Sequence, residues 1–339
     1  LNKKEELMEK IKFGILGTAG IAKLRFIPAI RNAKNAEVSA VASRNSEKSR
    51  RYAEENGIET AYGSYEELLA QKDIDAVYIP QPNGLHKEWS LKAIAAGKHV
   101  LCEKPLAPTP EDCLEMKQAA EAKNVVLMEA FMYRFHPLTE FVISQVHSGA
   151  LGEIESIQAS FTFILADMED VRWDQKLAGG AVMDVGCYGI NASRTFFAEE
   201  PAAVSAIAHY RKPGIDDRMG IFARFPSGKQ AQIICGFTSD APIGYTINGT
   251  KGWITAYNGF QTGVLNGTIT QEISGVRSTF WDSTNEYTRM IEHFSDCVIN
   301  HKPVRYDAMD AARNMAFINA AQKSAENDGE WVKVKEIKS

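Results

Sequence analysis

The sequence predicts an α/β fold in two parts, a doubly wound parallel sheet over residues 9–130 and an α+β half over residues 131–339 with a mostly antiparallel sheet. Three observations predict this. At 339 residues the chain is longer than one hydrophobic core ordinarily spans. In its first third, short apolar runs alternate with stretches of helical spacing. From residue 151 onward the texture changes to a succession of β-rich runs.

KIKFGIL (10–16) is an apolar strand that ends at Gly17, IAKLRFIPAIRNA (21–33) has helical spacing, and AEVSAVAS (36–43) is again β-rich. Strand, helix and strand within about thirty residues is the mark of a βαβ unit. SEKSRRYAEENG (46–57) is a helix opened by Ser46 and closed by Gly57, and DAVYIP (75–80) is a short buried strand. HKEWSLKAIAAGK (86–98) is a helix stopped by Gly97, and HVLCEKP (99–105) is a strand. TPEDCLEMKQAAEAK (109–123) takes Thr109 as N-cap with Pro110 in its first turn, and VVLMEAF (125–131) follows as the last strand of this sheet. Parallel strands joined by helices make the Rossmann sheet, which binds dinucleotides at the carboxyl ends of its strands.

In the second half, IESIQASFTFI (154–164), AAVSAIAHY (202–210), MGIFARF (219–225), QAQIICGF (230–237), GYTINGT (244–250) and GWITAYN (252–258) read as strands of an antiparallel sheet. FPSGKQ (225–230) makes a hairpin-like turn between two of them. Helices 184–197 and 286–299 are expected to cover one face of this sheet. The other face carries apolar residues beyond what a monomer tolerates, so a homodimer or tetramer through the sheet is expected. The amphipathic helix 307–326, opened by Asp307, is expected to fold back on the first domain.

The turn after the first strand is GTAGIA, from Gly17 through Thr18, Ala19, Gly20 and Ile21 to Ala22. In the dinucleotide fingerprint three small residues serve the tight turn, the approach of backbone to pyrophosphate and the packing of helix on strand. Here alanines stand at the second and third of those positions. At the end of the second strand, where NAD enzymes place an acid for the ribose hydroxyls, the chain has Ser43 and Arg44. A hydroxyl and a guanidinium suit a 2′-phosphate that a carboxylate would repel, so the cofactor expected is NADP.

The formal charge of −5 leaves no excess of cations for nucleic acid or acidic lipid, and no basic stripe interleaved with aromatics occurs. No apolar run of about eighteen residues is present. The five cysteines are an odd count without C-x-x-C spacing, which argues against a disulfide framework or a zinc site and points to the cytoplasm. No metal is expected. The charged residues before Met8 read as a leader without the apolar core of a signal peptide.

Three further segments are more specific: IPQPNGLHKEWSLKAIAAGKHVLCEKPLA (79–107), EAFMYRFHP (129–137) and GGAVMDVGCYGINASRTFFAEEP (179–201). In this order they resemble the glucose-fructose oxidoreductase, inositol dehydrogenase and rhizopine-catabolism family. The tyrosine that ends D-x-x-x-Y resembles the branch of NADP-dependent D-xylose dehydrogenase, dihydrodiol dehydrogenase and sugar ketoreductases. The resemblance implies a Rossmann domain, a C-terminal domain with a large open sheet, and a catalytic group of Lys104, Asp184 and Tyr188. It also implies that Pro82, Asn83, His86 and Glu103 lie along the nicotinamide half of the cofactor, with the segment of Arg134 beside cofactor and substrate. Pro80 is expected at the cofactor as well, and Arg172 and Trp173 are expected to form a loop over it.

Oxidising a carbinol requires one group to take the hydroxyl proton while hydride leaves, and reducing a carbonyl requires the reverse. A free phenol, with a pKa of about 10, is too weak an acid to serve as a base near neutrality. An ammonium within hydrogen-bond reach would lower it, so Lys104 is expected against the Tyr188 hydroxyl. Asp184 and Tyr188, four positions apart on a helix opened after Gly179 and Gly180, are expected on one face. Plainer roles exist for each: a solvated Lys104, a core Tyr188, an N-capping Asp184. Likewise Arg134 can pair with Glu129 or Glu140, and Trp173 can simply pack, while His99 reads as structural.

The activity expected is NADP(H)-dependent hydride transfer at a sugar carbon, as an aldose dehydrogenase acting on xylose or glucose or as a keto-sugar reductase. A glucose-fructose type enzyme with tightly held NADP is one alternative, disfavoured by the lack of an N-terminal arm to clamp adenine. A non-catalytic dinucleotide-binding sensor is the other. Sensors in such a family tend to lose the lysine or the acid-tyrosine pair, and all three residues are present here.

Overall fold

The computed structural model describes residues 10–338, so the charged segment before Met8 lies outside the described residues. Six strands form the first sheet: β1 (Ile11–Leu16), β2 (Ala36–Ala42), β3 (Thr60–Tyr62), β4 (Ala76–Ile79), β5 (His99–Cys102) and β6 (Leu127–Glu129). All pairs are parallel, in the order β3-β2-β1-β4-β5-β6. Chain direction across the sheet reverses between β1 and β4, which opens a crevice at their carboxyl ends. The sheet is buried on both sides, with Phe13, Ile15, Val77, Tyr78, Val100 and Leu101 fully inaccessible, as parallel strands require. The edge strand β3 is half-exposed and announced by no apolar run, and the sequence reading missed it.

Helices α1 (Ile27–Ile30), α2 (Ser46–Glu55), α3 (Tyr65–Leu69), α4 (His86–Ala95) and α5 (Pro110–Lys123) connect these strands. A π turn, Ala22–Phe26, precedes α1. Thr109 caps α5 by accepting the Asp112 N–H, with Pro110 first in the helix. Asn45 rather than Ser46 caps α2, accepting the Lys48 N–H.

After α6 (Pro137–His147) the second sheet begins with β7 (Ile154–Thr162), followed by helix α7 (Cys187–Phe197). Strands β8 (Ala203–Lys212), β9 (Ile215–Arg224), β10 (Gln230–Gly236), β11 (Gly244–Gly249), β12 (Gly252–Tyr257), β13 (Thr268–Ile273) and β14 (Val276–Trp281) come next. Two long helices, α8 (Glu286–Ile299) and α9 (Ala308–Ala325), precede the last strand, β15 (Val332–Lys333). The nine strands lie in the order β14-β13-β12-β11-β7-β10-β9-β8-β15, antiparallel except for the β7–β10 pair. Helix α7 lies directly on β7 and β10, where a Cβ on Gly189 would come within 2.7 Å of the Ile233 side chain.

Helix α8 corrects the expectation that it covers this sheet. It packs on the first domain instead, with Phe294 against Phe13 and the Asn35 side chain donating to the Glu292 carbonyl. Helix α9, capped by Asp307, lies between α5 of the first domain and β8 of the second. On the opposite face of the second sheet, Ile207, Phe222 and Ile234 are 73%, 52% and 60% exposed. Among the described residues no helix is long and apolar enough to cross a membrane.

The junction between the halves is an ion cluster. Arg134 pairs with Asp310 on α9 and stacks 3.1 Å from the ring centre of Tyr306. Arg194 on α7 binds the other Asp310 oxygen at 3.0 Å and Glu200 at 2.6 Å. This corrects the assignment of Arg134 to the cofactor; its acidic partner is neither Glu129 nor Glu140, and Glu140 pairs with Arg305. Both guanidiniums are almost wholly buried, at 5% and 3% exposure; removing their shared carboxylate would leave Arg134 a buried charge without an ion-pair partner among the described residues, while Arg194 keeps Glu200. Asp310→Ala is expected to destabilise the fold by about 3–5 kcal/mol in urea unfolding. Burial raises the Asp310 carboxyl but Arg134 and Arg194 outweigh it, bringing it down to about 2. Its contribution is therefore present above pH ~4 and lost as pH falls through that lower value, a dependence the variant should lack.

Candidate active site

Two segments meet at the carboxyl edge of the parallel sheet. From the first domain comes the turn after β5, Glu103-Lys104-Pro105, whose Lys104–Pro105 peptide is cis. From the second comes the turn leading into α7. Lys104 Nζ donates to the Asp184 main-chain oxygen at 2.6 Å and to its Oδ1 at 3.0 Å. Arg172 Nε donates to Oδ2 of the same carboxylate at 2.6 Å, and Asp170 accepts from Arg172 Nη1 at 3.2 Å. Asp184 is thus the common counter-ion of two cations, with Lys104 and Asp184 only 12% and 14% exposed.

Burial pushes the Asp184 carboxyl up, but Lys104 and Arg172 together hold it well below the usual carboxylate range. Burial likewise disfavours the charge on Lys104, and Asp184 overcomes it, so the amine is held above its ordinary value. At neutral pH the pair is an ammonium and a carboxylate. Arg172, read from the sequence as a cofactor contact, spends its guanidinium on Asp184 and Asp170.

Tyr188 corrects a second expectation. Its hydroxyl donates to Met132 Sδ at 3.4 Å, and Lys104 Nζ faces the ring, 5.2 Å from its centre, rather than the oxygen. Rings of Phe131, Tyr133, Phe161 and Phe260 surround it at 5.2–5.9 Å. Burial, with the nearby Glu103 charge, pushes the phenol well above its ordinary value instead of below it. Lys104, Asp184 and Tyr188 do come together, but the amine is hydrogen-bonded to the acid and not to the phenol.

The geometry of residues 178–188 also departs from a plain α-helix. The segment Val182–Gly186 is a π turn, closed by the Cys187 N–H donating to the Val182 carbonyl, and α-helix begins only at Cys187. Such turns recur at functional sites. The glycine pair is required sterically: a Cβ on Gly179 would lie 2.2 Å from the Arg172 carbonyl oxygen, and Gly180, at φ +107°, donates to that same oxygen. Asp216 on β9 accepts the Val182 N–H at 2.8 Å, a contact spanning 34 positions that no local sequence signal announces.

At the crevice, Gly17 adopts φ +127° and its N–H donates to Ala42. A Cβ on Gly20 would meet nothing within 4 Å, so the turn Thr18–Ile21 borders open space. Arg44 is exposed at the end of β2, while Ser43 is buried with its hydroxyl accepting the Asn45 N–H at 3.3 Å. Gln81, which the sequence reading passed over, follows β4 at the reversal point; its amide donates to the Leu16 carbonyl at 3.1 Å, and its Oε1 is buried without a partner among the described residues. An orphaned acceptor beside an open glycine turn, with an exposed guanidinium at the end of β2, fits a dinucleotide carrying a 2′-phosphate.

Other residues first assigned to the cofactor are held by the protein itself. His86 is inaccessible, wedged between the Pro105 and Gln81 carbonyls at 2.8 and 2.7 Å. Burial lowers its pKa to about 4, and the neutral ring donates to only one of the two. Glu103 is buried and accepts the Tyr78 hydroxyl at 2.6 Å. Trp173 is buried, its indole N–H donating to Asp167 and its ring edge-on to Phe237. Pro80 is buried at the end of β4, and Pro82 leads into the short helical turn that Asn83 begins. Asn83 donates to the Ala178 carbonyl at 2.9 Å and so ties the two domains together at the site. Cavities of 310, 560 and 830 Å³ elsewhere are lined by neither Lys104 nor Tyr188.

Comparison with known proteins adds independent support. Residues 11–131 match the family described as "Oxidoreductase family, NAD-binding Rossmann fold", and residues 142–255 match the GFO/IDH/MocA C-terminal domain. The chain is 41% identical over 318 residues to D-xylose 1-dehydrogenase (NADP(+)) 2 of Haloferax volcanii, covering 93% of this chain and 97% of that one. The aldose-aldose oxidoreductase of Caulobacter crescentus, solved with glycerol, superposes with TM-score 0.89 at 27% identity, over 96% of this chain and 100% of that one. A 3-ketoreductase of Actinomadura kijaniata, solved with NADP and TDP-benzene, gives 0.87 at 30% identity, over 93% and 98%. The chain belongs to the glucose-fructose oxidoreductase, inositol dehydrogenase and MocA family of oxidoreductases and carries both of its domains.

Proposed function

We propose that the enzyme transfers hydride between NADP(H) and a carbinol or carbonyl carbon of a sugar, as an aldose 1-dehydrogenase on a substrate such as xylose or glucose, or as a keto-sugar reductase. One observation carries this reading: the ion pair between Lys104 and Asp184, which sets an ammonium over the Tyr188 ring at the carboxyl edge of the dinucleotide sheet. The relatives named above support the substrate class and the cofactor. In variants of the Actinomadura ketoreductase a lysine and a tyrosine are replaced singly; they lie 84 positions apart, the separation of Lys104 from Tyr188.

NADP(H) supplies or accepts the hydride at its nicotinamide ring; Gly17, Thr18, Ala19, Gly20, Ile21, Gln81 and Arg44 would hold it. Asp184 keeps Lys104 charged, so the ammonium can stabilise negative charge developing on the substrate oxygen in a site where water is scarce. Tyr188 is a neutral phenol at physiological pH, carrying the proton that a carbonyl oxygen needs on reduction. The test is a panel of aldoses and keto-sugars assayed by NADPH absorbance, with NADP and NAD run in parallel. Turnover on a sugar with NADP preferred is expected; a preference for NAD would overturn the role given to Arg44.

We infer that a second copy covers the open sheet face. Pairing register sets Ile207 and Ile234 on either side of Gly220 in one row, with Phe222 in the next, an apolar stripe that water would cover only at a cost. Sedimentation velocity should give a dimer or tetramer for the native protein and a smaller species for Phe222→Glu; a native monomer at micromolar concentration rejects this. All five cysteines are free and buried, which supports a cytoplasmic location.

A further inference from the structure

The turn that presents Asp184 and Tyr188 starts with no cap of its own. Its first flanking residue, Ala181, has no side-chain acceptor to offer. Helix starts ordinarily use Ser, Thr, Asp or Asn at that position to satisfy the free N–H groups. Here the acceptor comes from another element. Asp216 on β9 is 3% exposed, and its Oδ2 accepts the Val182 N–H. Its Oδ1 lies so close behind Gly180 that a Cβ there would come within 2.3 Å of it.

Neighbouring Asp217 shows that this placement is particular. It projects to the other side of the strand, where His209 Nδ1 at 2.8 Å and Arg211 Nε at 3.1 Å engage it. Asp216 has no ion-pair partner among the described residues. The groups that face it are Asp217 along its own strand, Tyr210 on β8, Cys235 on β10 and the backbone of residues 180–182. A buried carboxylate without a cation is costly unless hydrogen bonds and the positive end of a helix compensate it, and both are present.

We propose that Asp216 is the positioning residue of the catalytic turn, fixing from β9 the register at which Asp184 and Tyr188 are presented to Lys104. This rests on the roles given above to those three residues. The cap has a pH dependence of its own. Burial raises the Asp216 carboxyl to about 6, so in mildly acidic solution the folded enzyme takes up a proton there. The unfolded chain, with a carboxyl near its ordinary value of about 3.9, does not until lower pH. Folding therefore binds a proton between those two values, and stability from this group does not fall as pH drops through them. The cap weakens all the same, so turnover declines below about pH 6 without unfolding.

The experiment compares Asp216→Ala and Asp216→Asn in the full-length protein by amide hydrogen exchange, NADPH binding and kcat on the best sugar of the panel. In Asp216→Ala, amides of residues 182–186 should exchange at least about tenfold faster and kcat should drop about 10- to 100-fold, with NADPH affinity within about twofold of native. Asp216→Asn keeps an acceptor without a charge, as the protonated carboxyl does; it should exchange more slowly than Asp216→Ala, hold kcat near the level the native enzyme falls to below about pH 6, and flatten the acid limb of the kcat profile. Native exchange at 182–186 in Asp216→Ala overturns the proposal, and so does an unchanged acid limb in Asp216→Asn. If instead Lys104→Met or Tyr188→Phe keeps full turnover, the catalytic roles fail while the exchange result still decides whether Asp216 sets the turn.

Discussion

Lys104→Met is expected to lower kcat by about 10³-fold or more in both directions while leaving NADPH binding within a few-fold of native. Methionine keeps the length and apolar stem of the side chain, so packing around Tyr188 is largely preserved. What is lost is the charge that Asp184 holds in place. Removing it also deprives Asp184 of one of two cations, but Arg172 remains on Oδ2 at 2.6 Å, so the buried carboxylate is not abandoned. Stability should therefore fall far less than turnover. Measurement of kcat and KM for the sugar, NADPH affinity by fluorescence, and urea unfolding separates these effects. A Lys104→Met enzyme retaining a tenth of native kcat would remove the lysine from the chemistry.

Much of the first domain was legible because parallel strands buried on both faces are written as unbroken apolar runs. Phe13 to Leu16, Ala76 to Ile79 and Val100 to Cys102 are such runs, and each is a strand. Strand β3 was not legible, since an edge strand of three half-exposed residues leaves no pattern. Hairpin β13–β14 was missed for a related reason: Thr268–Ile273 and Val276–Trp281 mix polar and apolar residues and are largely accessible, so no buried face marks them. The lysine, acid and tyrosine stood out by motif, but their hydrogen bonds did not.

Those bonds depend on distant residues. Asp310 claims Arg134 from 176 positions away, Asp216 caps the turn across 34, and Asp184 takes Lys104 across 80. Arithmetic along a chain does not reveal which of several carboxylates reaches a given cation. Nor does it reveal that the turn at Val182 would wind as a π turn, because that follows from packing of Arg172, Gly179 and Asp216 around it. Helix α8 was misplaced because its apolar face alone does not say which of two sheets it will cover.

Tyr188→Phe is the variant that tests proton transfer. Phenylalanine fills the same aromatic cage and loses only a hydroxyl whose partner, a thioether sulfur, is a weak acceptor, so stability should change by no more than about 1 kcal/mol. If the hydroxyl carries the proton, kcat should fall about 10²- to 10⁴-fold with sugar KM little altered, since general acid–base catalysis contributes on that order. The direction of the phenol's shift adds a signature. With its pKa raised by burial, native reduction should stay flat through neutral pH, and oxidation, which needs the deprotonated form, should keep rising into alkaline solution. In Tyr188→Phe the alkaline rise should vanish along with most of the rate. A variant that retains full turnover, or one that is slow but keeps the same rise, would shift proton transfer to Lys104, whose amine already lies within hydrogen-bond reach of Asp184.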